Sequence, residues 1–313
     1  MRRRLLPRSP GRRAAVALLL LAVLAGMFSD RVGLSKVVAV VPKPVQAAAP
    51  TASPRAAPED SPQRVPASPM PSPQGPCLNV PVLYYHYIRV NPVVSDKAGF
   101  KLSVTPANFA AQMALLHADG AHTATLADVV AALESGAGLP PRTVVLTFDD
   151  GHDDFATRAV PVLLRYDFTA TAFVVPGFLG RPSYMTAAQV QQVAAAGFTI
   201  GAHTLHHVDL PAKSAAVAEV EIEASRTQLQ SLTGQPVLDF AYPYGRYNAA
   251  VVKLVEAAGF RDAVTTDYGY GQCLARRFAL HRVEVTGSDS LATFARRASV
   301  PYVPETPSPS ARP

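Results

Sequence analysis

The sequence of 313 residues predicts an α/β domain, a distorted (β/α) barrel of about seven parallel strands. Three observations predict it. Short β-branched or aromatic runs alternate with helical patterns along residues 77–301, which implies a parallel sheet with crossover helices. Some seven such units fall within about 225 residues, the size of one domain, and that number favours a closed barrel over an open sheet. Gly197 and Gly259 each end a helical stretch and lead into a strand, as helix C-caps do.

The elements follow in order. A strand at residues 80–85 opens the domain. Helical patterns at 106–118 and 126–134 precede an apolar strand at 143–148. A strand at 169–175 leads to a helix at 187–196, which Gly197 stops before the strand at 199–202. The long helix at 215–232 precedes a strand at 238–242. The helix at 249–258, stopped by Gly259, precedes a strand at 262–265. A strand at 278–285 and a helix at 290–297 complete the set. In a barrel of this kind, chemistry belongs at the C-terminal strand ends.

The flanks read differently. Residues 1–30 carry Arg2, Arg3, Arg4, Arg8, Arg12 and Arg13 before a 15-residue apolar stretch, residues 14–28. That stretch is shorter than the roughly 20 residues of a bilayer span. A basic start and a short apolar run predict a signal peptide or an uncleaved membrane anchor, and Arg12-Arg13 suits a twin-arginine signal. Residues 31–76 form a Pro/Ala-rich linker, with 11 prolines between Pro42 and Pro76. Such a segment cannot bury a core and is expected to be an extended, solvated spacer. Residues 302–313 are a second Pro/Ser tail. The expected setting is extracytoplasmic, secreted or held by the N-terminal segment, with membrane contact confined to that segment. A monomer is expected.

The formal net charge of +6 is concentrated in these flanks. Residues 1–76 hold 11 Lys/Arg against 3 Asp/Glu, which leaves 18 against 20 for residues 77–313. The domain itself is slightly acidic, which excludes the electrostatic footprint of a nucleic-acid binder. Cys77 and Cys273 are the only cysteines and lie in no CxxC motif. An exported domain permits a disulfide between them, and free thiols are the alternative.

Two motifs carry the chemistry. The apolar strand 144–148 runs into Asp149-Asp150-Gly151. Some fifty residues later the strand 199–202 runs into His203-Thr204-Leu205-His206-His207. His203 and His207 have i, i+4 spacing, close enough to meet one ion. Two imidazoles, one carboxylate and open positions make a hydrolytic site for zinc or a similar ion. Adjacent carboxylates repel and cannot easily share a role. On an extended backbone Asp149 and Asp150 point apart, so one can bind metal while the other faces substrate. An Asp-Gly turn at a strand end is the competing structural reading. Asp153 and Asp154 look like residues of a helix N-terminus, where carboxylates suit the dipole.

These motifs resemble those of the polysaccharide deacetylase family, carbohydrate esterase family 4. Residues 147–151, Thr-Phe-Asp-Asp-Gly, look like its first motif. His203-Thr204-Leu205-His206-His207 is similar to its second, and Phe240-Ala241-Tyr242-Pro243-Tyr244-Gly245 resembles its third. The resemblance spans most of residues 80–285. It implies a deformed (β/α) barrel and metal-dependent N- or O-deacetylation of a glycan. It assigns Asp149 as the base and Asp150, His203 and His207 as ligands of one divalent ion. Zinc is expected, with cobalt or nickel as alternatives. The backbone N–H of Tyr244 is implied as an oxyanion donor.

Two departures from the family pattern matter. Ala241 stands where the family carries an arginine that orients the base, and Arg282 could supply that guanidinium instead. The general acid is usually a histidine near the C-terminal end, for which His281 is the candidate. Yet Pro81-Val82-Leu83-Tyr84-Tyr85-His86 looks like the opening of the branch containing poly-N-acetylglucosamine deacetylases. There the resemblance implies His86, which is preferred, with His281 as the alternative. Acetylated polysaccharide is the expected partner, and with no Trp, sugar stacking would fall to Tyr184, Tyr244 or Tyr268. Rival readings are a glycan-binding pseudoenzyme on the same fold, an O-acetyl esterase on xylan-like glycans, and a magnesium phosphohydrolase. The histidine pair argues for a softer ion than magnesium.

Overall fold

A computed structural model describes residues 75–93 and 95–302. The expected leader, nearly all of the linker and the tail lie outside the described residues. Among the described residues no helix is long and apolar enough to cross a membrane.

Seven parallel strands close a barrel. They are β2 (Val82–Tyr85), β6 (Thr143–Phe148), β7 (Thr171–Val174), β8 (Thr199–Ala202), β9 (Asp239–Ala241), β10 (Asp262–Tyr268) and β12 (Leu280–Glu284). Closure comes from β2, which pairs with β12 on one side and with β6 on the other. The first strand is shorter than the predicted 80–85 because Pro81 has no N–H to give the ladder. Its carbonyl accepts from Val145 instead.

Five short strands lie outside the predicted set. β5 (His122–Ala124) pairs with the start of β6, while β3 (Tyr87–Ile88) pairs with β4 (Ser103–Val104). β1 (Cys77–Asn79) pairs antiparallel with β11 (Gly271–Cys273), and Cys77 and Cys273, opposite each other in that register, form a disulfide. The bond ties the start of the domain to a point 196 residues on. Closing so long a loop restricts the unfolded chain strongly in the chain-entropy account.

The predicted helices appear as α2 (Pro106–Ala118), α3 (Leu126–Ser135), α5 (Ala187–Ala195), α6 (Ala215–Thr233), α7 (Ala249–Ala257) and α8 (Leu291–Arg297). Their starts are explained by side-chain caps. Thr125 with Asp128 and Thr186 with Gln189 form capping boxes, and Ser214 and Asn248 cap α6 and α7. The helix N-terminus expected at Asp153 and Asp154 opens a stretch that passes through a π-turn, residues 155–159, into α4 (Val160–Arg165), whose course was not predicted, and neither was α1 (Lys97–Leu102). Pro161 lacks a donor, and the widened turn lets Val160 N–H bond the carbonyl of Phe155 instead.

Period-two alternation sorts the strand residues. Val82, Val145, Phe173, Ala241, Val264 and Leu280 share one apolar cluster inside the barrel, with Leu126, Val129 and Leu133 of α3 packed against it. A Cβ on Gly201 of β8 would meet the Phe173 ring at 2.5 Å, so this strand admits only glycine there. The other strand faces pack under the helices. Two residues further along the inward positions come Tyr84, Thr147, His203 and Arg282, then His86 and Asp149. The interior therefore turns from apolar to polar towards the C-terminal strand ends.

Polar groups also occupy the opposite end. Asp239 and Asp262 face each other in register at the starts of β9 and β10, and Arg261 bonds to both. Asp239 Oδ2 and Asp262 Oδ1 remain buried with no donor from elsewhere. They can satisfy each other only by sharing a proton. Burial, then repulsion from Asp239, pushes Asp262 well above the usual carboxylate range. A raised folded-state pKa contributes stability below the unfolded value of about 4, and that contribution is lost as pH rises through the folded value. The unfolding free energy of wild type minus that of Asp262→Asn should therefore fall with pH above about 4, by up to ~1.4 kcal/mol per pH unit. Urea titrations across pH check this; a pH-independent difference would show that the pair holds no extra proton.

Candidate active site

The site is built where the polar layer reaches the barrel mouth. Asp149 follows β6 and is buried, with its N–H bonded to the carbonyl of Tyr85 at 2.9 Å. Arg282 of β12 is fully buried and approaches Asp149 with both terminal nitrogens, Nη1 to Oδ1 at 2.8 Å and Nη2 to Oδ2 at 2.7 Å. Its remaining bonds go to the Thr265 carbonyl (2.7 Å) and the Thr147 hydroxyl (3.1 Å). The guanidinium lies 4.4 Å from the centre of the Tyr84 ring. Burial opposes ionisation of Asp149, but the Arg282 charge and hydrogen bonds outweigh it, so the carboxyl sits below its ordinary pKa.

Asp150 departs from the extended geometry expected for it. Its φ is +72°, and Gly151 follows at +76°. A Cβ on Gly151 would stand 3.3 Å from the Val174 backbone, so a glycine is needed as well as preferred there. This turn, rather than strand alternation, sends Asp150 away from Asp149. Its Oδ1 lies 3.5 Å from His203 Nε2 and 3.3 Å from His207 Nε2. Ligand atoms of the three residues lie within 4.8 Å of one another.

The donor set suits a divalent cation. Asp150 Oδ1 is buried and has no hydrogen-bond donor. His203 Nδ1 is 2.7 Å from the Ala241 carbonyl, which only accepts, so Nδ1 carries the proton and Nε2 presents a lone pair. Burial, then repulsion from His203, pushes His207 down to about 4, which favours the neutral imidazole a metal needs. For His203 burial acts in the same downward direction, but the adjacent Asp150 carboxylate and then the field of both acids raise it. Three lone pairs converging without a proton between them are what a small cation satisfies.

The other predicted residues divide. His86 follows β2 within electrostatic reach of Asp149, Asp150 and His207, and its ring lies 5.8 Å from that of Tyr84. Tyr244 has φ +59° in the turn after β9, and its ring lies 4.6 Å from that of His207. The turn's hydrogen bonds run from Gly245 to Tyr242 and from Arg246 to Pro243, and use other N–H groups than that of Tyr244. His281 is not brought to this cluster. It stands one position from inward-facing Arg282, with Nδ1 3.1 Å from the Gly271 carbonyl and with Arg276 and Asp267 as its charged neighbours. His206 turns away to Glu221 at 2.9 Å. Of the tyrosines considered for sugar stacking, Tyr184 lies near His152 and Tyr244 beside His207. Tyr268 is exposed and bonds to Tyr270 instead.

One residue at the site was missed by sequence reasoning. His152 is 1% exposed, with Nε2 3.3 Å from Asp150 Oδ2. Its place after Asp-Asp-Gly was the only local signal, and its other partners are distant in sequence.

The buried pair yields a stability prediction. Removing one partner leaves an uncompensated charge, which costs about 3–5 kcal/mol. Arg282→Met should lose that much at pH 7 in urea unfolding. The deficit should narrow as pH falls and Asp149 takes up a proton. An Arg282→Met chain as stable as wild type at pH 7 would show that Asp149 does not need its counter-charge.

Comparison with known proteins agrees with the fold. Residues 136–263 match the family model for polysaccharide deacetylase. YxkH of Bacillus subtilis, a protein assigned as a polysaccharide deacetylase, is 31% identical over 215 residues, covering 69% of this chain and 74% of its own. A poly-β-1,6-N-acetyl-D-glucosamine N-deacetylase of Staphylococcus epidermidis is 28% identical, over 58% of this chain and 71% of its own. Among solved structures, the Streptococcus pyogenes deacetylase PplD in complex with acetate superposes with a TM-score of 0.66 at 28% identity, covering 72% of this chain and 99% of its own. IcaB from Ammonifex degensii does so at 0.61 and 25% identity, with the same coverage. By its relatives and its closed barrel of seven parallel strands, this chain belongs to the polysaccharide deacetylase family and is an enzyme of that class.

Proposed function

We propose that the protein is a metal-dependent hydrolase that removes N-acetyl groups from an extracytoplasmic polymer of the N-acetylglucosamine type. The observation that carries this reading is the pairing of two unlike acids: Asp149, held ionised by Arg282, beside Asp150, which shares a lone-pair cluster with His203 and His207. The N-acetyl choice is supported by the relative named for poly-β-1,6-N-acetyl-D-glucosamine. The basic, apolar N-terminal segment and the Cys77–Cys273 disulfide support an oxidising, extracytoplasmic setting.

Asp150, His203 and His207 would hold one divalent ion, with zinc preferred, which when bound polarises the acetyl carbonyl and makes an attacking water more acidic. Asp149 takes the proton of that water. Arg282 keeps Asp149 ionised and fixes the direction of its free lone pairs. The Tyr244 N–H donates to the acetyl oxygen as negative charge builds there. His86 gives a proton to the departing sugar nitrogen, so that acetate and a free amine are released. Burial lowers the pKa of His86, and the fields of Asp149 and Asp150 offset this only in part, so the charged ring gives up its proton readily.

Mass spectrometry of a panel of acetylated glycans after incubation with the zinc-loaded protein tests the reading. Loss of acetyl groups from N-acetylglucosamine polymers is expected. Release from O-acetylated xylan alone, or from none, would overturn it. His203→Ala should lose most bound metal, read by elemental analysis, and with it the activity; full occupancy in that variant would reject the ligand set.

General acids contribute roughly 10²–10⁴ in rate. His86→Ala should lower kcat by about that factor with metal retained, and the loss should shrink for an activated aryl acetate, whose leaving group needs no proton. His281→Ala should cost much less. The opposite pattern would return the role to His281.

A further inference from the structure

Asp150 presents one oxygen, Oδ1, to His203 and His207. The other, Oδ2, lies 3.3 Å from Nε2 of His152. A carboxylate has no proton to give, so the contact is a hydrogen bond in the tautomer with the hydrogen on Nε2, and we assign His152 that tautomer. The donor is held firmly. The His152 ring stacks on Tyr87 with centroids 3.7 Å apart at 23°, and the Tyr184 ring flanks it at 4.8 Å. Its Nδ1, which has no hydrogen in that tautomer, lies 3.3 Å from the Ser183 carbonyl as a contact and not a hydrogen bond.

The backbone is pinned as well. His152 and Tyr184 form an antiparallel bridge, Asp153 N–H bonds to Ser183, and Met185 N–H bonds to Gly151. All of this converges on an acid whose own backbone, at φ +72°, lies outside the strand. Strand register cannot orient the Asp150 carboxylate, whereas a buried donor can.

We propose that His152 is a positioning residue: by occupying Oδ2 it keeps Asp150 to single-oxygen ligation and so preserves an open coordination position for the substrate. The inference rests on the metal reading above. A free carboxylate can chelate through both oxygens, and doing so would fill a position that a catalytic site must leave open. Partners of this kind, one step removed from the ion, typically change metal affinity by 10–100-fold when lost.

Cobalt(II) titration of the metal-stripped full chain tests this, with calorimetry for affinity and the visible absorption band for coordination number. His152→Phe keeps a ring for the stack but has no donor. It should bind cobalt 10–100-fold more weakly, with the weaker absorption of a more highly coordinated ion. His152→Gln loses the ring but keeps an N–H, and should stay within a few-fold of wild type. Wild-type affinity and spectrum in His152→Phe would overturn the proposal. So would equal losses in both variants, because the stack rather than the donor would then be responsible. If His152→Phe does not fold, His152→Gln decides alone: near-wild-type affinity supports the proposal and a tenfold loss overturns it. Failure of the wild-type chain to take up cobalt would instead remove the ligand reading itself, and this inference with it.

Discussion

Asp149 is an ionised carboxylate inside an apolar barrel, and it depends on Arg282. The two are 133 residues apart and almost fully buried. Moving either charge alone out of water costs several kcal/mol, so the pair is tolerable only with good geometry and with its other polar atoms satisfied. Arg282 makes four hydrogen bonds, to β6, β10 and the acid itself. Those partners meet only if β12 lies between β10 and β2. Closure of the barrel and assembly of the site are therefore one event: an open sheet would leave Asp149 without its counter-charge.

The same constraint explains the layering inside the barrel. Beneath Arg282 lie Phe173, Val264 and Leu280, which need no partners. At its level lie Tyr84 and Thr147, whose ring face and hydroxyl can contact a guanidinium. Above lie the acid and the histidines. Apolar packing at depth fixes the strands; the polar layer uses that rigidity to hold angles that loops alone would not maintain.

Much of this was legible locally. Seven barrel strands and six helices follow from alternation and from glycine stops, because each signal lies within a dozen residues. The acid pair and the histidine pair are likewise contiguous. The rest was hidden for identifiable reasons. β1 and β11 are three residues each and are stapled by a disulfide whose halves are 196 residues apart. Of the helix around Phe155 only the acidic start, Asp153 and Asp154, was legible, because its course was obscured by Pro161, which a π-turn accommodates. His152 was hidden because Tyr87 and Tyr184, which define its environment, come from other parts of the chain. The Asp-Gly turn at residues 150–151 had looked like a rival to a functional reading. With Asp150 at φ +72° the turn is instead what separates the two acids.

Asp149 and Asp150 are adjacent and chemically identical, and what distinguishes them is how many donors reach each oxygen. Both oxygens of Asp149 accept from Arg282, so a second cation bound to it would stand against the buried guanidinium charge. Asp150 accepts from His152 at one oxygen only, and its other oxygen is buried and faces two imidazole nitrogens. A cation placed between the acids gains a full ligand from Asp150 and only a competing demand from Asp149. The proposed division between base and ligand thus follows from hydrogen-bond accounting. Nothing about either aspartate alone would decide it, and the residues that do, Arg282 and His152, come from very different distances along the chain: one from the last strand, the other two residues after Asp150.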